Sequence, residues 1–549
     1  MPTSHRPSPL LSSTLSILAV ALGVALASTT VVAQGPPGRS DRPEAKGASQ
    51  PGAEQAGEKS EKAAREDLPE RKLPADFSLT KEAQVTIRGV GVPYRVTLGT
   101  QPVYGEKGKA VAALHYTFYE RSDVEDTARR PLFISFNGGP GSGSLWMHLG
   151  YTSPKLLVID DEGYPVQPYG VRDNPHSILD VADIVYVNPV NTGFSRILDP
   201  EADRDDFFGV EADVTYLADW LDVFVSRQKR WRSPKYLIGE SYGTNRVSGL
   251  AGALQDRHWM YLNGVILVSP TGLGLEAEGP APRSAVLKLP YYAAAAHYHG
   301  QLDSDLQSLE LRALLDEVEA FTLDEYLPAI SRGGFLQEDR RTEIAGKVAR
   351  YAGVSERFVL DHNLAVPDSA FWKELLREEG YTIGRLDSRY LGVDRKNAGE
   401  EYDYPPELTA WNHAFAPAIN HYLRDVLGFE TDLQYYLFGA VHPWGGRDTD
   451  LAEELRRAMA QNPFLHVMVQ SGYYDGATDY FTAKYVLWNL DRSGRLTARM
   501  RFEGYESGHM MYLRAEDLAT SNQHIRELIE ASTPAVGEAA SYGSVRERN

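Results

Sequence analysis

The chain contains no cysteine, which excludes disulfides, thiolate nucleophiles, iron–sulfur clusters and cysteine-ligated zinc. Basic residues are in deficit, with 56 Lys and Arg against 75 Asp and Glu, for a formal net charge of −19. Because phosphate binding requires a basic surface, we expect no nucleic-acid partner. Long apolar runs are also lacking after residue 33, so we expect no integral membrane segment in the mature chain.

The N-terminal residues 1–33 have the pattern of a secretory signal peptide. Arg6 supplies a positive charge, an apolar run of 13 residues extends from Leu15 to Ala27, and the sequence VVA ends at Ala33. A run of this length is typical of a signal peptide and falls short of the ~20 residues that span a bilayer. We therefore expect export, to the periplasm or out of the cell, after cleavage near Ala33. The alternative is an N-terminal anchor that is not cleaved.

The composition changes along the chain and predicts its organisation. Residues 34–72 are rich in Pro, Gly, Ala, Glu and Lys and lack aromatics, which predicts a disordered linker. The rest of the 549 residues is long enough for one large α/β domain with insertions, or for two domains. The predicted parts are an α/β core at 73–270, a mainly helical cap at 271–460, the second part of the core at 461–532 and a flexible tail at 533–549.

The strand pattern predicts a doubly wound, mostly parallel sheet. AQVTIRG, VPYRVTLG and AALHYTFY indicate an antiparallel entry, and PLFISF, ADIVYV, KYLIGE, NGVILV and LHVMVQ are continuous apolar runs. Continuous runs are typical of parallel strands buried on both faces. A helix predicted to begin near Glu211 has its apolar face formed by Val214, Leu217, Leu221 and Phe224. In such a fold the functional site lies at the carboxyl ends of the strands.

The segment between Pro270 and Leu465 shows no strong strand. It contains helix-like stretches such as SDLQSLELRALLDEVEAF and KELLREE. A structureless loop of this length is implausible, so we predict a helical cap over the active edge of the sheet.

The strongest local signal is Gly239-Glu240-Ser241-Tyr242-Gly243. This G-x-S-x-G pattern follows the strand KYLI and precedes the helix-like TNRVSGLAGAL. In that context it predicts a nucleophile elbow, with the Ser241 hydroxyl presented at the end of the strand. The alternative is a serine that caps a helix after a glycine turn.

A serine nucleophile requires a base and a group that orients the base. In this fold class they follow the serine in the order acid, histidine. Asp475 closes the strand HVMVQSGYY, and His509 lies in a loop after the strand-like LTARMRFEG. Asp479 is a rival for the acid.

An oxyanion hole usually consists of two backbone N–H groups, one of them from the residue after the nucleophile. That residue is Tyr242, and the second donor is expected from the glycine loop that follows PLFISF and runs from Asn137 to Gly141. The alternative is a simple tight turn. The loop is not a phosphate loop, because no G-K-[ST] follows it.

Five motifs together resemble the serine carboxypeptidase family (peptidase family S10) of the α/β-hydrolase clan. They are FNGGPGSGS, NPVNTGFS, GESYG, SGYYDGAT and ESGHM, in the family's order between about residues 130 and 515. Asn191 stands where the family usually has glycine, and the family's disulfides are absent, as in a bacterial-type exported member. The resemblance implies an α/β-hydrolase fold with Ser241 as nucleophile, His509 as general base and acid, Asp475 as its orienting carboxylate, and the Gly139 and Tyr242 amides as oxyanion hole.

The resemblance also implies how a substrate is held. The family recognises the free C-terminal carboxylate with an asparagine and a pair of carboxylic acids that share a proton. Asn137, beside Gly138, matches the asparagine and Glu240 matches one acid, whereas Tyr151 occupies the position of the second acid. A tyrosine is able to donate a hydrogen bond to a carboxylate, but the pair of acids is incomplete.

The predicted function is therefore a serine-type carboxypeptidase acting on peptides with a free C-terminus, with no cofactor and no metal. A serine esterase or acyltransferase on the same triad is the alternative, and a catalytically inactive binding protein would show a broken triad. His297 and His299 are interpreted as packing or surface residues, and the acidic stretch 203–206 as a complement to a helix dipole. An aromatic group either lines the pocket under the cap or packs it: Tyr291, Tyr292 and Tyr298. No pattern indicates side-chain specificity or oligomeric state.

Overall fold

The computed structural model describes residues 71–273, 282–446, 450–540 and 542. The predicted signal peptide, nearly all of the predicted linker and the end of the predicted tail lie outside the described residues.

The main sheet is built from strands that fall where the apolar runs predict them. In chain order the strands, including four short ones in two small sheets, are β1 (Phe77–Ile87), β2 (Val90–Tyr104), β3 (Ala110–Arg121), β4 (Leu132–Phe136), β5 (Lys155–Leu157), β6 (Val171–Asp173), β7 (Asp183–Val187), β8 (Arg196–Ile197), β9 (Lys235–Glu240), β10 (Gly264–Val268), β11 (Thr382–Ile383), β12 (Leu391–Gly392), β13 (His466–Gly472) and β14 (Met500–Tyr505).

The sheet has the order β1-β2-β3-β7-β4-β9-β10-β13-β14, with β8 paired to β3. β1, β2 and β3 are antiparallel, with Val85 opposite Val92 and Leu98 opposite Thr117. From β7 to β14 the strands are parallel, with Ile238 beside Ile266 in the centre. The predicted antiparallel entry and mostly parallel sheet are confirmed.

Helices separate the parallel strands and fill the long segment between β10 and β13. They are α1 (Leu145–Met147), α2 (Val210–Arg227), α3 (Tyr242–His258), α4 (Pro282–Leu287), α5 (Leu289–Tyr298), α6 (Ser304–Gln307), α7 (Leu311–Phe321), α8 (Leu327–Ile330), α9 (Glu338–Ala352), α10 (Glu356–Asp361), α11 (Asp368–Glu374), α12 (Pro406–Asn420), α13 (Leu451–Gln461), α14 (Tyr480–Leu490) and α15 (Ala515–Ser532). The predicted apolar face of α2 is buried as expected.

The core lies on both faces of the sheet, because successive side chains of a strand point to opposite sides. In β9, Tyr236 and Ile238 join the cluster that contains α12 and α15, whereas Leu237 joins the cluster under α2 and α3. Burial on both sides explains the continuous apolar runs. The helices between β10 and β13 enclose a further cluster of their own, around Leu314, Val348 and Phe371.

A small pair of strands lies in the segment between β10 and β13. β11 and β12 pair antiparallel and are joined by the loop 384–390, which lies within the predominantly helical segment.

Among the described helices, none combines the length and apolarity that crossing a bilayer would require.

Candidate active site

The nucleophile elbow connects β9 to α3. Ser241 has φ 57° and ψ −127°, a backbone conformation that is strained for a residue with a side chain. Gly239 permits this turn, because a Cβ there would lie 2.2 Å from the Gly243 carbonyl oxygen. The Ser241 hydroxyl makes no capping hydrogen bond to α3. The structure thus disfavours the alternative of a helix-capping serine.

Asp475 and His509 meet at the carboxyl ends of β13 and β14. His509 Nδ1 lies 2.6 Å from Asp475 Oδ2, and both side chains are buried. The other carboxylate oxygen of Asp475 accepts the backbone N–H groups of Ala477 (2.9 Å) and Thr478 (3.1 Å). The Thr478 hydroxyl lies 2.7 Å from Asp475 Oδ2. These contacts hold the carboxylate in the orientation that a histidine base needs.

Strand β10 brings the histidine beside the elbow. The Ser241 N–H donates to the Val268 carbonyl (3.0 Å), and the next residue, Ser269, donates its hydroxyl to the His509 carbonyl (2.8 Å). Ser241 is partly exposed, and its hydroxyl makes no hydrogen bond in the described part of the chain. Catalytic hydrogen bonds are often long or poorly aligned before substrate binds, so this arrangement is compatible with a nucleophilic serine.

The surroundings of His509 raise the pKa of its imidazole. Burial lowers the pKa of His509, but the charge and hydrogen bond of Asp475, together with the charge of Glu240, outweigh burial and raise the pKa above its usual value. Carboxylates beside the ring therefore stabilise the imidazolium that forms when His509 takes a proton.

The glycine loop lies against the elbow as an oxyanion hole requires. A Cβ at Gly138 would lie 2.5 Å from the Tyr242 nitrogen, so only glycine permits this approach. Gly139 has φ +105°, a conformation that glycine tolerates. Tyr242 is the first residue of α3, and the first N–H groups of a helix have no partner within it. The glycine loop therefore lies in contact with the N-terminus of α3, at the Tyr242 amide.

A buried ion pair supports this loop and was not predicted from the sequence. Arg246 on α3 pairs with Asp213 on α2 at 2.7 Å, and both side chains are fully buried. The same guanidinium donates to the carbonyls of Asn137 (2.7 Å) and Pro140 (3.2 Å). The arginine follows Ser241 by little more than one helical turn, which is the only sequence signal of this role.

The surroundings of Glu240 differ from the prediction. Asn137 Nδ2 donates to Glu240 Oε1 at 2.9 Å, and the partner of Oε2 is the hydroxyl of Tyr512. Tyr151 instead donates to Gln470 (2.7 Å) and stacks on the Tyr512 ring at 4.8 Å. Tyr151 therefore does not hydrogen-bond to the carboxylate of Glu240.

The surroundings of Glu240 disfavour the ionised form of its carboxyl group. Burial raises the pKa of Glu240 above its usual value, and this rise is only partly offset by the positive charge of His509 and the hydrogen bonds from Tyr512 and Asn137. A neutral carboxylic acid is able to donate a hydrogen bond, whereas its anion repels an incoming carboxylate.

Other residues of interest lie away from this centre. Asp479 caps α14 by accepting the Thr482 N–H (2.8 Å), and its carboxylate makes no hydrogen bond to His509. His297 and His299 bond to the carbonyls of Leu309 and Ser388. A search of the described residues finds no cluster of three His, Asp or Glu side chains suited to a metal.

The structure also shows the surroundings of the acidic stretch 203–206 and of the aromatic group Tyr291, Tyr292 and Tyr298. Asp203 caps a short 3₁₀ turn before α2 by accepting the Asp205 N–H at 3.0 Å. Tyr291 and Tyr292 are fully buried and pack among the helices, whereas Tyr298 is 45% exposed. The Tyr291 hydroxyl reaches the backbone beside Asp475, since a Cβ on Gly476 would lie 2.4 Å from it.

Asn191 is explained by its backbone. Its φ is 62°, in the left-handed region that glycine adopts freely and asparagine tolerates better than most residues. The substitution of asparagine for the family's glycine therefore preserves the turn.

Comparison with known proteins supports the resemblance to serine carboxypeptidases. The sequence model described as serine carboxypeptidase matches residues 104–271, which contain the glycine loop and Ser241 but not Asp475 or His509. Serine carboxypeptidase-like 36 of Arabidopsis thaliana is 29% identical over 163 residues, 29% of this chain and 31% of that protein. The lysosomal protective protein of Mus musculus is 28% identical over 195 residues, 35% of this chain and 36% of that protein. The matches span about a third of the length of these curated relatives.

A solved structure extends the likeness to the fold. Kex1(Δ)p, a prohormone-processing carboxypeptidase from Saccharomyces cerevisiae, superimposes with a TM-score of 0.50 over 79% of this chain and 91% of that chain, at 14% identity. The predicted α/β-hydrolase fold and the family resemblance are confirmed.

Proposed function

We propose that this chain, whose residues 104–271 match the serine carboxypeptidase model, is a serine-type carboxypeptidase that releases C-terminal amino acids from peptides. The observation that carries the proposal is the hydrogen bond of 2.6 Å between His509 and Asp475, next to a strained serine at the end of β9. A buried carboxylate–histidine pair beside a serine elbow is the arrangement that activates a hydroxyl for acyl transfer.

The proposed mechanism proceeds through an acyl-enzyme. Ser241 Oγ attacks the last peptide carbonyl while His509 takes its proton, and the imidazolium is stabilised by Asp475. The Gly139 and Tyr242 amides donate to the oxyanion, where one donor typically lowers the barrier by ~3 kcal/mol. His509 then protonates the departing amino acid, and a water activated by the same histidine hydrolyses the ester. These steps need no cofactor.

The free C-terminal carboxylate of the substrate is proposed to bind at Asn137, Gly138 and Glu240. Asn137 donates from Nδ2 to Glu240 and accepts the Met147 N–H with its oxygen (3.0 Å), which fixes its side chain beside the acid that is proposed to bind the same carboxylate. Burial raises the pKa of Glu240, which extends to higher pH the range in which its carboxyl group is protonated and able to donate to a substrate carboxylate. The role expected of Tyr151 passes to Tyr512.

The proposal also covers the setting of the enzyme. Residues 1–33 act as an export signal cleaved near Ala33, residues 34–72 as a linker, and residues 271–460 as a cap that covers the site. The name of the mouse relative places that protein in lysosomes, outside the cytosol, which supports an exported enzyme.

The test uses protein lacking residues 1–33 and two N-blocked dipeptides, one with a free C-terminus and one amidated. Release of the C-terminal amino acid is measured between pH 4 and 8. We expect turnover of the free acid, loss of turnover on amidation, and no activity in Ser241→Ala. Ser248→Ala is the matched control, because Ser248 lies buried two turns further along α3 and contacts neither Asp475 nor His509.

A serine esterase or acyltransferase on the same triad remains the second candidate, and the incomplete acid pair at Glu240 favours it. Cleavage of a simple ester that depends on Ser241, with no release from either peptide, would establish that candidate. Activity in Ser241→Ala would contradict both functions.

A further inference from the structure

Arg385 lies in the loop 384–390, which touches both catalytic loops through its backbone. The Arg385 carbonyl accepts the N–H of Gly476 (2.9 Å), the residue that follows Asp475. The next carbonyl, of Leu386, accepts the N–H of His509 itself (2.7 Å). The position of Arg385 is therefore fixed directly beside the acid and the base of the triad.

Further contacts anchor the same loop. The Ser388 N–H donates to the Tyr474 carbonyl (2.9 Å), and the ring of His299 on α5 bonds to the Ser388 carbonyl (2.7 Å). The Leu386 N–H donates to the buried Glu407 carboxylate at 2.8 Å. A loop held from three sides presents its side chains in a defined direction, which a binding site requires.

The guanidinium of Arg385 has no hydrogen-bonding partner in the described part of the chain, although its charge lowers the pKa values of the neighbouring Glu407 and Tyr402. The residue is exposed, and its side chain forms no ion pair or hydrogen bond with any described part of the chain. Arg389, four residues later, is buried and forms a bidentate pair with Asp387 (3.0 and 2.7 Å). The loop thus contains one structural arginine and one whose donors remain available.

The charge of Arg385 reaches the catalytic centre. Its positive charge lowers the pKa of the His509 imidazole, whereas the nearby carboxylates raise that pKa. The effect of Arg385 is smaller than the effect of burial and smaller than the effect of the carboxylates. Asp475 is a buried carboxylate in direct contact with the same ring. An anionic substrate group beside His509 would be repelled by this carboxylate unless a cation offsets its charge.

We propose that Arg385 is a specificity-determining residue that binds a carboxylate of the substrate next to His509. A planar guanidinium matches a carboxylate in a bidentate geometry, and such charge-assisted pairs are among the stronger hydrogen bonds. The inference rests on the proposed function, because it names the substrate chemistry of that same site. The carboxylate has two possible sources: the C-terminal carboxylate, or an acidic side chain flanking the scissile bond.

The test compares wild type with Arg385→Gln and Arg385→Lys. Arg232→Gln is the matched control, since Arg232 is an exposed arginine in the turn before β9, at the amino end of a strand whose carboxyl end carries the site. The substrates are N-blocked dipeptides in pairs that differ by Glu against Gln on either side of the scissile bond. Competitive inhibition by an N-blocked amino acid is measured as a second readout, and thermal unfolding shows that each variant is folded.

We expect Arg385→Gln to lower kcat/KM by about 10- to 100-fold on carboxylate-bearing substrates, with Arg385→Lys in between and Arg232→Gln unchanged. An equal loss on every free-acid dipeptide identifies the C-terminal carboxylate, and a loss confined to the Glu-containing peptides identifies the side chain. A folded Arg385→Gln enzyme that matches wild type in both kcat/KM and inhibition overturns the proposal.

Failure of the proposed function would be seen separately, as a wild type that cleaves no peptide. In that case the same variants are compared on 4-nitrophenyl butyrate and on the mono-4-nitrophenyl ester of succinic acid. A selective loss on the anionic ester in Arg385→Gln supports the carboxylate site, and equal rates on both esters refute it.

Discussion

Replacing Tyr512 with phenylalanine should change the pH dependence of activity in a defined direction. The substitution removes the hydroxyl that donates to Glu240 Oε2 and keeps the ring that stacks on Tyr151. Glu240 is buried, and its other hydrogen bond, from Asn137, remains. The carboxylate therefore loses one of two hydrogen bonds that stabilise its charged form.

The size of the effect follows from that single bond. A hydrogen bond to a charged group contributes ~1.5–3 kcal/mol, and 1.36 kcal/mol corresponds to one pKa unit. The pKa of Glu240, already raised chiefly by burial, should rise further in Tyr512→Phe. Because the proposed function requires the protonated acid to bind a carboxylate, the loss of kcat/KM as pH increases should move upward, by about 1–2 pH units for the loss of that one bond.

The folding free energy provides an independent readout with the same sign. Because the pKa of Glu240 in the folded state lies above the value of 4.5 for an unburied glutamate, the folded protein holds this proton more tightly than the unfolded chain. Its contribution to stability is present below pH 4.5 and is lost as pH rises through the folded-state pKa. Tyr512→Phe should extend that loss to higher pH.

The assay is kcat/KM against pH for a free-acid dipeptide, combined with urea unfolding at each pH. Tyr505→Phe is the control, because Tyr505 is a buried tyrosine whose hydroxyl bonds to Gln470 and His524 instead of Glu240. A Tyr512→Phe profile that coincides with wild type, or a shift to lower pH, would refute the assignment of Glu240 as the titrating group.

Three other substitutions test the acid of the triad, the buried ion pair and a buried glutamate. Asp475→Asn should lower kcat by about 10⁴-fold at unchanged fold, because Nδ1 of His509 would face a donor in place of a carboxylate; steady-state kinetics measures this. Arg246→Met should destabilise the protein by ~3–5 kcal/mol in urea unfolding, because it leaves Asp213 buried without its partner. Glu407→Gln should flatten the fall of stability between pH 4.5 and about 7, because burial raises the pKa of Glu407 to about 7 and this contribution is lost as pH rises through that value; urea unfolding across this range measures the slope.

Each of these expectations has an outcome that would contradict it. Asp475→Asn with near wild-type kcat would exclude the acid role of Asp475. An Arg246→Met variant as stable as wild type would show that the ion pair does not support the glycine loop. A stability slope unchanged by Glu407→Gln would mean that Glu407 is ionised in the folded protein throughout that range.

Local patterns in the sequence were sufficient to predict the main sheet and the nucleophile elbow. The continuous apolar run of β9 requires burial on both faces, and Gly239 and Gly243 are needed where α3 turns back against the strand. Both requirements act within a few residues, so they are visible in the order of residue types. The order of Ser241, Asp475 and His509 along the chain added the candidate triad.

Contacts between distant segments were decided only by the tertiary structure. Tyr512 and Glu240 are 272 residues apart, and no spacing rule indicates that this phenol, instead of that of Tyr151, reaches the carboxylate. Arg385 lies beside His509 because the loop 384–390 accepts hydrogen bonds from the backbone of Gly476 and His509. No sequence pattern in the mainly helical segment indicates that this loop contacts the ends of the sheet strands. The apolar pattern determines which residues are buried, because burial is a property of each segment. Which polar groups meet depends on how the segments pack, and that information is distributed over the whole chain.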